Sequence, residues 1–262
     1  MALLLRCLIN LPARQMTSGK MLRHFSVSSQ STAVEKLSRD EIAKIINTCQ
    51  AVCFDVDSTV IPEEGIDQLA AFKGAGEAVA AWTAKAMGGD VLFQNALAAR
   101  LDLIQPSKAD LQAYLAKNPV KLTPGVKELV DKLHQRGKAV YLVSGGFRQM
   151  IEPVAEVLRV PVHRIYANNI LFDEAGAFAG FDAAELTSRD GGKPAVIKQL
   201  IEAHGYSPIC MVGDGVTDMQ AKPPADLFIG FGGVVVRDNV QKGADWFVRD
   251  FQQVIDVLDA QS

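Results

Sequence analysis

The chain predicts an α/β protein with a doubly wound, mostly parallel sheet and a small helical cap inserted after the first strand. Three observations carry this. From Thr123 onward, short apolar runs alternate with amphipathic stretches, the pattern of repeated βα units. The earlier run Ala51-Val-Cys-Phe54 is continuous and β-rich, as expected of a strand covered on both faces. Between them, over 67–119, apolar residues recur at helical spacing and no strand is evident. A length of 262 residues accommodates one large α/β core carrying such an insertion.

The elements follow in order. Ser38-Arg-Asp-Glu41, followed by Ile42, Ile45 and Ile46, has the form of a capping box and predicts a short helix leading into the first strand. A loop through Gly65 precedes the helical insertion, which breaks at Gly88-Gly89 and at Gln105-Pro-Ser107. A helix over 126–136 is closed by Gly137, and a strand over 138–143 ends in Ser144-Gly-Gly146. Next come a helix over 147–158 that tolerates Pro153, a strand over 162–167, and a hairpin around Asp173-Glu-Ala-Gly176. A helix over 193–204, a strand over 209–212 and a helical turn over 218–222 lead to strands at 227–229 and 246–248 and a closing helix over 251–258. The predicted domains are a core formed by 35–66 and 120–262, and a cap formed by 67–119.

Composition narrows the function. A net charge of −3 gives no reason to expect nucleic acid or an anionic membrane surface as partner. No stretch approaches the roughly 20 apolar residues of a spanning helix, so no stable membrane association is expected. Cys7, Cys49, Cys53 and Cys210 show neither CxxC nor zinc spacing, and Cys53 and Cys210 lie in apolar runs, which suits a reducing compartment. Residues 1–34 hold Arg6, Arg14, Lys20, Arg23 and several serines, with no acidic residue before Glu35, the composition of an organelle transit peptide. Leu22-Arg-His-Phe-Ser26 resembles a mitochondrial processing site, so a mitochondrial address is the first expectation. A plastid address and a disordered start on a cytosolic protein are the alternatives.

The chemistry collects where strands end. Asp55-Val-Asp-Ser-Thr59 puts two carboxylates two residues apart at the end of a buried strand, where like charges cost most unless a divalent cation sits between them. Aspartate can also act as a covalent nucleophile. Alone, the segment reads equally well as a strand followed by an Asx or Ser turn. Ser144 offers a hydroxyl and neighbouring N–H groups at a predicted helix start, which suits a phosphate oxygen. Lys193 opens a helix after Gly191-Gly192 and can neutralise phosphoryl charge. Within Gly213-Asp-Gly-Val-Thr-Asp218, Asp214 supplies a carboxylate for a hard cation such as Mg2+, and Asp218 can hold Lys193 or a metal-bound water. Each motif singly is a turn or a solvated helix start. Four in this order, each at a βα junction, describe a phosphate and metal site.

This order of motifs resembles the haloacid dehalogenase superfamily of phosphotransferases. The likeness extends to Glu63-Glu-Gly-Ile-Asp67, Ala86-Met-Gly-Gly89, Leu142-Val-Ser-Gly-Gly-Phe-Arg148 and the run 223–233, which are similar to its phosphoserine phosphatase branch over about 48–258. The resemblance implies that Asp55 attacks phosphorus and becomes an aspartyl-phosphate, and that Asp57 protonates the leaving oxygen and then activates water. It implies Mg2+ bound by the Asp55 carboxylate, the Asp57 backbone carbonyl and Asp214. Ser144, Gly145 and Lys193 would hold the phosphoryl oxygens, Gly215 and Thr217 would line the site, and Asp218 would support it.

For substrate, the resemblance implies O-phospho-L-serine and the last step of the phosphorylated route of serine biosynthesis. Arg100 would grip the carboxylate, Glu64 the ammonium, and Met87 and Phe93 would form an apolar lid, with Arg237 near the site. From pattern alone Arg100 reads as a solvated helix face and Glu64 as a surface loop. The rival readings are a phosphatase or phosphotransferase for another small phosphomonoester, a receiver-type signalling module and a dinucleotide-binding module. The 89 residues from Asp55 to Ser144 argue against the receiver, and an Asp where GxGxxG needs its third Gly argues against the last. A homodimer is the expected assembly on general prevalence only.

Overall fold

Helix α1 (Arg39–Thr48) begins as its sequence predicts, with Ser38 Oγ accepting the Glu41 N–H at 3.3 Å and Glu41 Oε2 accepting the Ser38 N–H at 2.8 Å. The computed structural model describes residues 37–87 and 91–260, without the side chains of 84–87. The transit-peptide reading of 1–34 and the break at Gly88-Gly89 lie outside those residues.

Strand β1 (Ala51–Phe54) follows, and all four of its residues are buried. Four helices come next: α2 (Gly65–Phe72), α3 (Gly76–Met87), α4 (Phe93–Ile104) and α5 (Lys108–Lys117). The chain then alternates through α6 (Val126–Gln135), β2 (Ala139–Phe147), α7 (Arg148–Leu158) and β3 (Ile165–Asn168). A hairpin of β4 (Ile170–Phe172) and β5 (Phe178–Phe181) precedes α8 (Gly192–His204), β6 (Ile209–Gly213) and α9 (Val216–Met219). The remaining elements are β7 (Leu227–Phe231), α10 (Asp238–Gly243), β8 (Trp246–Val248) and α11 (Gln252–Asp259).

The sheet runs β3-β2-β1-β6-β7-β8, with every neighbouring pair parallel. The chain therefore builds outward from β1 in one direction and then in the other. A crevice opens where the direction reverses, beyond the C-terminal ends of β1 and β6. Phe54, the last residue of β1, is in register with Leu142 on one side and Val212 on the other, so the residues that follow these three positions meet at that crevice.

Both faces of the sheet are covered. Val52 and Phe54 pack into a cluster with Leu129, Leu133, Ile151, Leu158 and Ile255, while Ala51 and Cys53 pack oppositely with Val196, Ile197 and Leu200. That is why β1 reads as continuously apolar rather than alternating. A third cluster joins Leu69, Leu97, Leu101 and Ile104 of the helical region to Phe147 and Ile170, so α2 and α4 are seated against the end of β2 and the hairpin.

Several boundaries differ from the expectation. Strand β2 does not stop before Ser144 but continues through the two glycines to Phe147, with a shift in pairing between Val143 and Phe147. Phe147, 1% exposed, anchors in the third cluster, and Gly145-Gly146 absorb the irregularity. Ser144 accordingly lies within a strand and not at a helix start. Residues 162–164 form a helical turn, so β3 begins only at Ile165. Helix α9 starts at Val216, two residues early, because the Asp218 side chain accepts the Gly215 N–H. The helical region has a further break around Gly74 (φ 75°), and α10 is too short for periodicity to reveal.

One ion pair ties α5 to α2. Asp110 Oδ2 accepts from Lys73 Nζ at 2.5 Å and from the Ser107 N–H at 2.9 Å. The Lys73 contact and then Ser107 pull its carboxyl from the ordinary 3.8 down to about 2. A folded value below the unfolded one adds stability above about pH 4, and that stability is lost as pH falls through 2. Asp110→Asn is expected to lower Tm by about 2–4 °C at pH 7, with the gap to wild type closing toward pH 2. Paired melts across that range check it.

Candidate active site

The Asp55 N–H donates to Val212 O at 2.9 Å, extending the β1–β6 ladder one residue and bringing the Asp55 carboxylate beside Asp214. The chain then turns sharply through Ser58, which takes a left-handed conformation (φ 55°). Ser58 Oγ donates to Glu64 Oε1 at 2.8 Å, and Thr59 Oγ1 donates to Asp214 Oδ1 at 3.2 Å. Asp57 Oδ1 accepts the Gly65 N–H at 2.8 Å. Its other oxygen lies so near Gly146 that a Cβ there would sit 2.6 Å away, so any side chain at that position would displace the Asp57 carboxylate.

Lys193 lies at the centre. Its side chain is 8% exposed, and Nζ pairs with Asp55 Oδ1 at 2.8 Å and with Asp218 Oδ1 at shorter range. Burial alone would lower its pKa, but the Asp218 and Asp55 charges outweigh this and hold the ammonium charged. Asp218 is committed on both oxygens, since Oδ2 accepts the Gly215 N–H at 2.9 Å. Arg237 gives Asp214 Oδ2 two contacts, from Nη2 at 2.9 Å and Nε at 3.0 Å, and its Nη2 lies 3.9 Å from Glu64 Oε1.

The electrostatics sort the acids. Burial, then the Glu64 and Asp55 charges, push Asp57 up to about 8, which favours its protonated form at neutral pH. Burial and the Asp55 charge raise Asp214 against the opposing pull of Arg237. Burial also raises Glu64, against the hydrogen bond from Ser58. The carboxyl groups of Asp55, Asp57, Glu64, Asp214 and Asp218 thus surround two cations, Lys193 and Arg237.

Asp55, Asp214 and Asp218 each offer a carboxylate oxygen within 4.8 Å of the others, all buried. An all-carboxylate donor set with excess negative charge suits a hard metal ion. The metal ligands expected from the sequence are the Asp55 carboxylate, the Asp57 backbone carbonyl and Asp214. In the structure the third clustered side chain is Asp218, while the Asp57 carboxylate is turned to Gly65 and Gly146.

Ser144 is buried next to these groups, and its Oγ accepts the Gly146 N–H at 2.9 Å. Behind it a polar chain fixes the Gly145 peptide: Asn168 Nδ2 donates to Gly145 O at 2.7 Å, and Thr187 Oγ1 donates to Asn168 Oδ1 at 3.0 Å. Sequence reasoning assigned no role to Ser58, Thr59, Gly146, Asn168 or Thr187. The signal present in the sequence was a polar Asn168 directly after the apolar run Ile165-Tyr-Ala167.

The Phe93 ring lies against Gly145, where an added Cβ would come within 2.9 Å of Cζ. Arg100 is 9% exposed, so the solvated-face reading of its helix position fails. Its Nε donates to Ala96 O at 3.1 Å, and among the described residues no ion pair joins it to a carboxylate. Burial lowers its pKa, while Asp67, Glu64 and Asp57 oppose this. Gly215 is the N-cap of α9 and Thr217 stands exposed on its first turn. Met87 ends α3, and its side chain lies outside the described residues.

A carboxylate paired with a buried lysine, two residues from a carboxylic acid, is equipped for nucleophilic attack with proton transfer. Residues 49–222 match the family model of haloacid dehalogenase-like hydrolases. The chain belongs to that family. This haloacid dehalogenase-like hydrolase is 48% identical over 253 residues to the chloroplastic phosphoserine phosphatase of Arabidopsis thaliana, covering 93% of this chain and 86% of the relative. Phosphoserine phosphatase of Homo sapiens is 48% identical over 223 residues, covering 85% of this chain and 99% of the human protein. Among solved structures, a phospho-aspartyl intermediate analogue of phosphoserine phosphatase superposes with a TM-score of 0.69 at 25% identity, covering 79% of this hydrolase and 98% of that chain.

Proposed function

We propose that the protein is a Mg2+-dependent phosphatase that hydrolyses O-phospho-L-serine to L-serine and phosphate through an aspartyl-phosphate on Asp55. The observation that carries this is the contrast between neighbours: Asp55 is paired with Lys193, while Asp57, two residues on, is held toward its protonated form. The names of the relatives at 48% identity support phosphoserine as substrate.

In the first step an Asp55 oxygen attacks phosphorus and the bond from phosphorus to the serine oxygen breaks, with the Asp57 proton passing to that oxygen. In the second, Asp57, now ionised, takes a proton from water as the water oxygen attacks the same phosphorus. The bond to Asp55 breaks and phosphate leaves, with both carboxyl groups restored. The Asp55 carboxylate, the Asp57 backbone carbonyl and Asp214 would hold Mg2+, which when bound would supply charge neutralisation between an anionic nucleophile and an anionic substrate. The excess of carboxylates over cations in the pocket supports that fit.

Lys193, Ser144 and Gly145 hold the phosphoryl oxygens in this reading, Gly215 and Thr217 line the same space, and Asp218 keeps Lys193 in place. Buried Arg100, which has no ion pair to a carboxylate among the described residues, takes the substrate carboxylate, and Glu64 the ammonium. Phe93 and Met87 close the apolar side. The cap at 67–119 over a core of 35–66 and 120–262, action as a homodimer, and a place at the end of phosphorylated serine biosynthesis belong to the same proposal. Among the described residues no helix is long and apolar enough to cross a membrane. The plastid alternative for 1–34 has the chloroplastic relative behind it, and the mitochondrial expectation has no such support.

Phosphate release across a panel of phosphomonoesters, with wild type and Arg100→Ala, tests the assignment. Wild type is expected to prefer phosphoserine over phosphoglycolate and sugar phosphates. Arg100→Ala is expected to raise KM for phosphoserine about a hundredfold, the scale of one buried charge-assisted contact, and to leave p-nitrophenyl phosphate nearly unchanged. Equal loss on both substrates would remove Arg100 from the carboxylate, and preference for another ester would overturn the substrate.

A further inference from the structure

Helix α4 carries both Phe93 and Arg100, seven residues and nearly two turns apart on one face. Its own N-cap, Leu92, has no side chain able to accept a first-turn N–H. That function is supplied from 97 residues away. Asp190 accepts the Phe93 N–H on Oδ2 at 3.2 Å and Oδ1 at 3.4 Å, and Gln94 Oε1 accepts the Asp190 N–H at 3.3 Å. The arrangement has the reciprocity of a capping box, but its two halves come from different parts of the chain. The Asp190 charge also faces the positive end of the α4 dipole.

Asp190 directly precedes Gly191, the N-cap of α8, and lies three residues before Lys193. One exposed side chain therefore connects the turn that positions the phosphate-holding lysine to the helix that presents Phe93 over Gly145 and Arg100 beyond it. We infer that Asp190 is a positioning residue that sets the distance between the phosphate end and the head-group end of the site. It rests on the reading above only in taking Phe93 and Arg100 to face the substrate. Without the contact, α4 keeps its apolar packing through Leu97 and Leu101 but loses the register that brings Arg100 to a substrate already held at Lys193.

Asp190→Ala and Asp190→Asn test this in the full chain with Mg2+. Asp190→Ala is expected to raise KM for phosphoserine about tenfold with kcat within twofold and Tm lowered by no more than about 2–4 °C, the scale of one lost cap, and to leave p-nitrophenyl phosphate kinetics as in wild type. Asp190→Asn keeps an acceptor oxygen and is expected to restore most of the KM. Hydrogen exchange of the Phe93 amide, measured without substrate, is expected to quicken at least tenfold in Asp190→Ala and less in Asp190→Asn. Unchanged exchange, or a KM rise shared equally by both substrates alongside a Tm lowered beyond that range, would overturn the inference. The exchange arm needs no turnover, so failure to hydrolyse phosphoserine would count against the proposed function without deciding the role of Asp190.

Discussion

Asp55→Asn is expected to lower kcat by three to six orders of magnitude, the scale seen when a covalent nucleophile is removed. The amide cannot attack phosphorus, and no other carboxylate is placed to replace it. Asp57 is turned to Gly65 and Gly146, Asp218 is committed to Lys193 and Gly215, and Asp214 is held by Arg237 and Thr59. The same change removes one of five carboxylates crowded around two cations, so the metal-free variant is expected to melt at or slightly above the wild-type temperature. Loss of turnover with an undiminished Tm separates a missing nucleophile from a damaged fold. Steady-state phosphate release and scanning fluorimetry on the two proteins check both halves, and substantial residual turnover would contradict the assignment.

Lys193→Met is expected to act on both activity and stability. Removing the ammonium takes away charge stabilisation of the transferring group, about a hundred- to a thousandfold in kcat. It also strips the buried Asp55 and Asp218 of their shared partner. Breaking a buried pair from one side costs about 3–5 kcal/mol, or roughly 10 °C in Tm for a domain of this size. Added Mg2+ is expected to recover part of that loss by supplying the missing positive charge. The two variants therefore separate in Tm, undiminished in one and lowered in the other, while both lose activity, a pairing that a general loosening of the site would not produce. Thermal melts with and without Mg2+ read this directly.

How far these groups could be seen in advance follows from what local pattern encodes. The sheet was legible because a strand buried on both faces must be apolar at every position, as Ala51 to Phe54 and Ile209 to Val212 are. Asp55 and Asp214 were legible because charged residues at the ends of such runs stand out against them, and Lys193 because it stands at a helix start directly after Gly191-Gly192. Other features depend on contacts distant in sequence. Continuation of β2 through Ser144-Gly-Gly146 depends on Phe147 reaching a cluster built largely from α2 and α4, which no window around the glycines contains. Burial of Arg100 likewise depends on where α4 is seated, since the charge alone argues for solvent. Thr59, Asn168 and Thr187 act through single hydrogen bonds across 155, 23 and 19 residues, and small polar side chains carry no periodic signal. Gly146 looked like an ordinary turn residue until the Asp57 oxygen was found against it.

The charge pattern at the end of β1 remains the core of the account. Asp57 can serve as acid and then base because burial and the Glu64 and Asp55 charges raise its pKa, while Asp55, two residues away, is paired with Lys193. The most direct test is to mix the Mg2+-loaded protein with O-phospho-L-serine, quench in acid within milliseconds, and map the added phosphate by peptide mass spectrometry. One phosphoryl group is expected on the peptide containing Asp55, absent after neutral hydroxylamine and absent in Asp55→Asn. Phosphate released at full rate with no adduct at any time point, or an adduct on another residue, would contradict it.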